Sequence, residues 1–129
     1  MSGIDTNVEK RKINIFKIGG IWCFKYFFND GEIFNKLSEY YNRDKYRFEV
    51  NNIEERKKVM EYLEYKGFEI ALIENSSDYT VKISKSNKYA AILKNSIESY
   101  ERERDKIFTM KDLVSVDPIK WTRLNELSR

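Results

Sequence analysis

Apolar positions first fall into a pattern at Ile13. The dozen residues before it have no periodicity and end in the charged run Glu9, Lys10, Arg11, Lys12. Residues 1–12 therefore read as a flexible basic arm, and residues 13–129 as one domain. Across 13–26 the spacing predicts two strands joined at Gly19-Gly20, a dipeptide that allows the positive φ of a tight hairpin turn. Closing the turn with Ile18 opposite Ile21 sets Lys17 against Trp22, Ile15 against Phe24 and Ile13 against Tyr26, all on one face. The other face carries Phe16, Ile18, Ile21 and Cys23, with Asn14 and Lys25 at the far end. A hairpin apolar on both faces needs cover on both. Helices are expected over one face. Over the other, the pattern points to the C-terminal segment around Trp121 or to a second copy of the chain, so that Trp22, Phe24, Tyr26 and Trp121 form the candidate interface.

Helical spacing follows. Asn29-Asp30-Gly31-Glu32 is a start signal, and Ile33, Phe34, Leu37, Tyr40 and Tyr41 lie on one stripe. A second helix is expected from Asn52, with Glu55 at capping-box spacing, to Lys66-Gly67, turning Val59, Met60 and Leu63 inward. Ser86 is the expected N-cap of a third, with Tyr89, Leu93, Ile97 and Tyr100 as its stripe and the run 101–106, ERERDK, as its solvated end. Short strands are expected at 47–50, 68–73 and 79–83, the last two joined by a polar hairpin loop at 74–78. Thr109 or Asp112 can cap a short helical turn, and Asp117-Pro118 can start a last helix presenting Ile119, Leu124 and Leu127. The order β-β-α-β-α-β-β-α predicts the α+β class, with a mixed sheet of about five strands, helices on one face and a short C-terminal helical segment.

Composition narrows the chemistry. The chain has 129 residues, 35% of them charged, a net charge of +3, one cysteine and no histidine. Abundant Lys and Glu without glutamine leans toward a heat-adapted protein, against which stand eleven asparagines. Without histidine, and with Cys23 alone, neither the common zinc sites nor a histidine-dependent nucleophilic triad can be built, and no cofactor or metal is expected. No apolar run approaches the length of a membrane span, and no secretory leader is evident, so a cytoplasmic protein without a membrane partner is expected. Glu74, Asp78 and Lys82 loosely resemble the acid-and-lysine sets of metal-dependent nucleases, but the position two before the lysine is Thr80 rather than an acid.

The sharper signal is basic and aromatic together. Residues 40–47, YYNRDKYR, interleave Tyr40, Tyr41 and Tyr46 with Arg43, Lys45 and Arg47. Rings of this kind stack on bases while cations meet phosphates. Lys82, Lys85 and Lys88 form a second basic group. The plain alternative is that Tyr40 and Tyr41 complete a core stripe while the charges solvate a loop. The expected function is a non-enzymatic binding module for nucleic acid, RNA before DNA, through Arg43, Lys45, Tyr46, Arg47, Lys82, Lys85 and Lys88. The alternatives are a protein-interaction or homodimer module and, behind it, the nuclease.

Overall fold

A computed structural model of the chain describes residues 11–117. The opening alternation becomes β1 (Arg11–Ile18) and β2 (Ile21–Phe24), in the register the turn dictates: Ile18 faces Ile21, Lys17 faces Trp22 and Phe16 faces Cys23. Gly19 takes φ +61, the left-handed conformation that a Cβ disfavours. Arg11 and Lys12, expected in the arm, belong to β1, and the Arg11 guanidinium lies 4.4 Å from the Phe68 ring centroid; the rest of the expected arm lies outside the described residues.

The first helix is shorter too. Asp30 caps α1 (Gly31–Leu37), its carboxylate accepting from the Glu32 N–H at 2.9 Å. A 3-10 turn (Ser38–Tyr40) then releases the chain into β3 (Tyr41–Asn42), which pairs with β4 (Arg47–Val50). Helix α2 (Ile53–Tyr65) meets its expected bounds: the Asn52 side chain accepts from the Glu55 N–H, and Gly67 at φ +95 turns the chain into β5 (Phe68–Ile73). Together β3-β4-β2-β1-β5 form a mixed five-stranded sheet in which only the β1–β5 pair is parallel.

Beyond β5 the expectations fail in an instructive way. The loop at 74–78 does not close a hairpin. Instead the chain leaves the first sheet, makes a 3-10 turn (Ser77–Tyr79) and starts β6 (Thr80–Ser84) in a second one. The third helix survives only as α3 (Ala90–Lys94), because β7 (Ser96–Arg102) and β8 (Asp105–Met110) pair over the length expected to be helical. The run ERERDK is thus a hairpin tip, with Glu103 at φ +56. The helical stripe from Tyr89 to Tyr100 is equally compatible with a short helix and a strand, and the partner strand at 105–110 decides between them. The order of the second sheet is β6-β8-β7. At its end Asp112 caps a helical turn from residue 113, accepting from the Ser115 N–H at 2.8 Å.

The protein is therefore α+β in three layers. Helices α1 and α2 cover one face of the five-stranded sheet, burying Ile13, Ile15, Trp22 and Phe24 with Ile33, Leu37, Val59 and Leu63. The other face meets the second sheet of the same chain, through Phe16 and Cys23 against Ile97, with the Tyr79 ring edge-on to Phe16 at 5.1 Å. This corrects the expected cover, which was a C-terminal segment or a second copy. Trp121 and the expected last helix lie outside the described residues.

Candidate nucleic-acid interface

Three buried polar side chains tie the two sheets together and shape the surface beside them. From the second face of the first sheet, Asn14 Nδ2 donates to the Lys111 carbonyl (3.1 Å), Lys25 Nζ to the Lys94 carbonyl (3.2 Å) and an Arg47 terminal N–H to the Ile97 carbonyl (2.9 Å). Arg47 also donates from Nε to Glu49 at 2.8 Å and lies 3.5 Å from Glu98. With 3% of its surface exposed, Arg47 is committed inside the chain and leaves the expected phosphate-binding set. Burial pushes the Glu49 carboxyl up, but the hydrogen bonds from Arg47 and Asn42 outweigh it and hold the group below the usual range.

The loop that precedes Arg47 is built at its base by Asn42, whose side-chain oxygen accepts from the Asp44 and Lys45 N–H groups at 2.9 and 3.1 Å. Tyr46 then takes φ +55, an uncommon conformation for a residue with a bulky side chain, and is 65% exposed. Its ring joins Phe27, Tyr41 and Leu93 in lining a groove of about 300 Å³ that also takes in Lys25 and Lys94. Phe27 is 54% exposed, and the Lys94 and Lys111 ammonium groups each stand 5.8 Å from its ring centroid. An adjoining groove of about 260 Å³ shares Lys25, Tyr46 and Leu93 and adds Asp44, Lys45, Ser96, Glu98 and Ser99. Burial, then Lys111 and Arg47, lower the Lys25 ammonium from 10.5 to about 8.

The expected site residues are thus divided. Arg43 and Lys45 stay on the loop surface, Lys45 at 4.0 Å from Glu98, and Tyr46 faces the grooves. Lys82 and Lys85 sit on the second sheet and the turn after it, beside Asp105 (3.7 Å) and Glu101 (3.4 Å); with the exposed Lys88, they line neither groove. Trp22 and Phe24 are core beneath the helices, with the Arg56 guanidinium 4.6 Å from the Trp22 ring, and Tyr26 is half-buried against Phe28 and Phe68. These three therefore offer no open platform. Glu74 and Asp78 are both exposed, and no cluster of three metal-ligating side chains gathers among the described residues.

Phe27, Lys94 and Lys111 were missed by sequence reasoning. A signal for Phe27 did exist: in Tyr26-Phe27-Phe28 the outer rings turn inward, so the middle one turns out. Nothing local marks Lys94 or Lys111, which reach Phe27 only because the second sheet docks there. A larger hollow of about 420 Å³ lies between the 3-10 turn and α2, lined by Lys36, Glu39, Tyr40, Glu55, Lys58 and Tyr62. Its acids and lysines balance in number, and the Tyr40 hydroxyl is already donated to Glu55, a bond that together with burial pushes Tyr40 up to about 12. No helix among the described residues is long and apolar enough to cross a membrane. No family model, curated protein or solved structure matches the chain.

Proposed function

We propose that the protein is a small non-enzymatic binding module of the cytoplasm for single-stranded nucleic acid, RNA in preference to DNA, and that the Phe27–Tyr46 groove is its binding site. The observation that carries this reading is the meeting of the exposed Phe27 and Tyr46 rings with the exposed Lys94 in one groove, while Lys111, paired with Asp112 at 2.7 Å, stands 5.8 Å from the Phe27 ring. A base stacked on such a ring is worth about 1–3 kcal/mol, and the Lys94 ammonium at the groove suits a flanking phosphate. Arg43 and Lys45 extend the positive rim. Asp44, Glu98, Ser96 and Ser99 in the adjoining groove supply acceptors for a ribose 2′-hydroxyl, which supports RNA over DNA.

The test is a titration against single- and double-stranded RNA and DNA at several salt concentrations. Phe27→Ala and Tyr46→Ala are each expected to weaken single-strand binding about tenfold or more with the salt slope unchanged. Lys94→Ala is expected to reduce the slope by about one, and Lys111→Ala by less, because Asp112 already pairs with that ammonium at 2.7 Å. Binding that ignores all four substitutions rejects the groove.

Self-association is a second reading, favoured by one observation. Strand β5 stands at an edge of the first sheet with Leu72 40% exposed, and among the described residues nothing pairs with its outer side. A monomeric mass at high concentration rejects it.

A further inference from the structure

Lys25 is buried without a counter-charge. It is 9% exposed, and its one hydrogen bond is to the Lys94 carbonyl at 3.2 Å. Among the described residues no carboxylate lies within 4.0 Å of its Nζ. The charged groups that act on it are Arg47 on the same sheet face, itself paired with Glu49 at 2.8 Å and Glu98 at 3.5 Å, and Lys111 after β8, itself paired with Asp112 at 2.7 Å, with Lys94 at the end of α3 beside them. The carboxylates of the adjoining groove are Asp44 and Glu98, and Glu98 is already held by Arg47 at 3.5 Å and Lys45 at 4.0 Å. Structural lysines are normally paired or snorkel to water. A lysine kept dry beside other cations is the arrangement that makes an amine nucleophilic at neutral pH.

Both grooves reach this side chain. We propose that Lys25 is a reactive amine that forms an imine with a small 2-oxo carboxylate carrying an apolar side chain, bound in the Phe27–Tyr46 groove. The ligand class follows from the walls. Phe27, Tyr41 and Leu93 take the apolar body, while Lys94, which lines the groove beside Phe27, takes the carboxylate. The chemistry closes without an oxidant or reductant. The neutral Nζ lone pair attacks the carbonyl carbon, forming a C–N bond as the C=O π pair moves to oxygen. A proton passes from nitrogen to that oxygen, and the carbinolamine then expels water as the C–O bond breaks, leaving the imine. With the ammonium lowered to about 8, about a tenth of the amine is neutral at pH 7, against less than about a thousandth of an ordinary lysine. This reactivity goes beyond the nucleic-acid reading of the same groove, does not depend on it and is tested without nucleic acid.

The experiment treats the folded full chain at pH 7.5 with pyruvate, and in parallel with phenylpyruvate. Cyanoborohydride reduces any imine to a stable secondary amine, and the modified residues are located by peptide mass mapping. The chain supplies its own controls in its other fifteen lysines and its N-terminal amine. The expected result is a saturable adduct on Lys25 at least about tenfold faster than the mean of the other lysines, faster with phenylpyruvate, and slowing as pH falls below 8. The selectivity should vanish in urea, where Lys25 becomes one lysine among sixteen. Labelling spread over exposed lysines, with Lys25 at or below their mean in the folded protein, overturns the proposal. Lys25→Arg should lose the selective adduct; should that variant not fold, the comparison of folded with unfolded wild type still decides.

Discussion

The two faces of the five-stranded sheet are held in different ways. Toward the helices the contact is dry and aromatic: Phe24 stacks on Phe48 at 4.8 Å, and Phe28 and Tyr41 meet Phe48 edge-on. Toward the second sheet the apolar contact is small, and Asn14, Lys25 and Arg47 instead reach across to three backbone carbonyls. Apolar burial is non-directional and stabilises in proportion to area, whereas a buried polar bond adds little net stability but is costly to break. The helix face thus supplies most of the stability, while the second face specifies where the second sheet sits. The grooves lie on that second, position-specifying side.

Four substitutions test this contrast, in order of expected size. Phe24→Ala should cost about 3–5 kcal/mol in urea unfolding, as expected for removing a fully buried ring. Arg47→Met, which strands Glu49, Glu98 and the Ile97 carbonyl, should cost about 3 kcal/mol. Its signature is local: amide exchange should rise more in β7 and β8 than in β1 and β5. An equal rise in both sheets would show that the polar ties do not set the position of the second sheet.

Lys25→Met has the opposite sign. Lys25 binds its proton more weakly in the folded chain, about 8 against 10.5, so at pH 7 the charge opposes folding by about 1.4 kcal/mol for each tenfold weakening. Less the lost hydrogen bond to Lys94, the variant should gain about 2 kcal/mol at pH 7. Above pH 8 the wild type sheds the proton when folded but keeps it when unfolded, so its stability from this group rises and the advantage of Met shrinks toward pH 10.5. Cys23, raised by burial to about 11, and Tyr40, raised to about 12, act oppositely, but they are common to both proteins and cancel in the difference. An advantage that does not change with pH would place the effect in packing rather than charge. The smallest change is expected for Glu103→Gly at the β7–β8 turn, which relieves a left-handed φ of +56 and should stabilise by about 0.5–1 kcal/mol, read as a higher melting temperature.

Much of the first sheet was legible because its determinants are local. The Gly19-Gly20 turn sets a register that period-two alternation then carries along β1 and β2, and Asn52 and Gly67 bound α2 by cap chemistry within a few residues. The α+β class follows from the same signals. For the loop residues Arg43, Lys45 and Tyr46, sequence placed them on the surface, where the structure finds them, but it could not see Arg47 turn inward beside them. That turn depends on Ile97 and Glu98, some fifty positions away in the chain.

Local pattern was enough to set the hairpin, the second helix and the two faces of β1 and β2, including Asn14 and Lys25 on the less apolar one. It took the folded chain to settle that residues 96–110 pair as strands, that this pair covers the second face, and that Phe27, Tyr46, Lys25 and Lys94 meet around a groove with Lys111 beside Phe27. The reason is physical. Caps, turns and alternation act over a few residues, whereas strand pairing and the docking of one sheet on another are chosen by contacts between distant segments, whose free energy no local pattern carries.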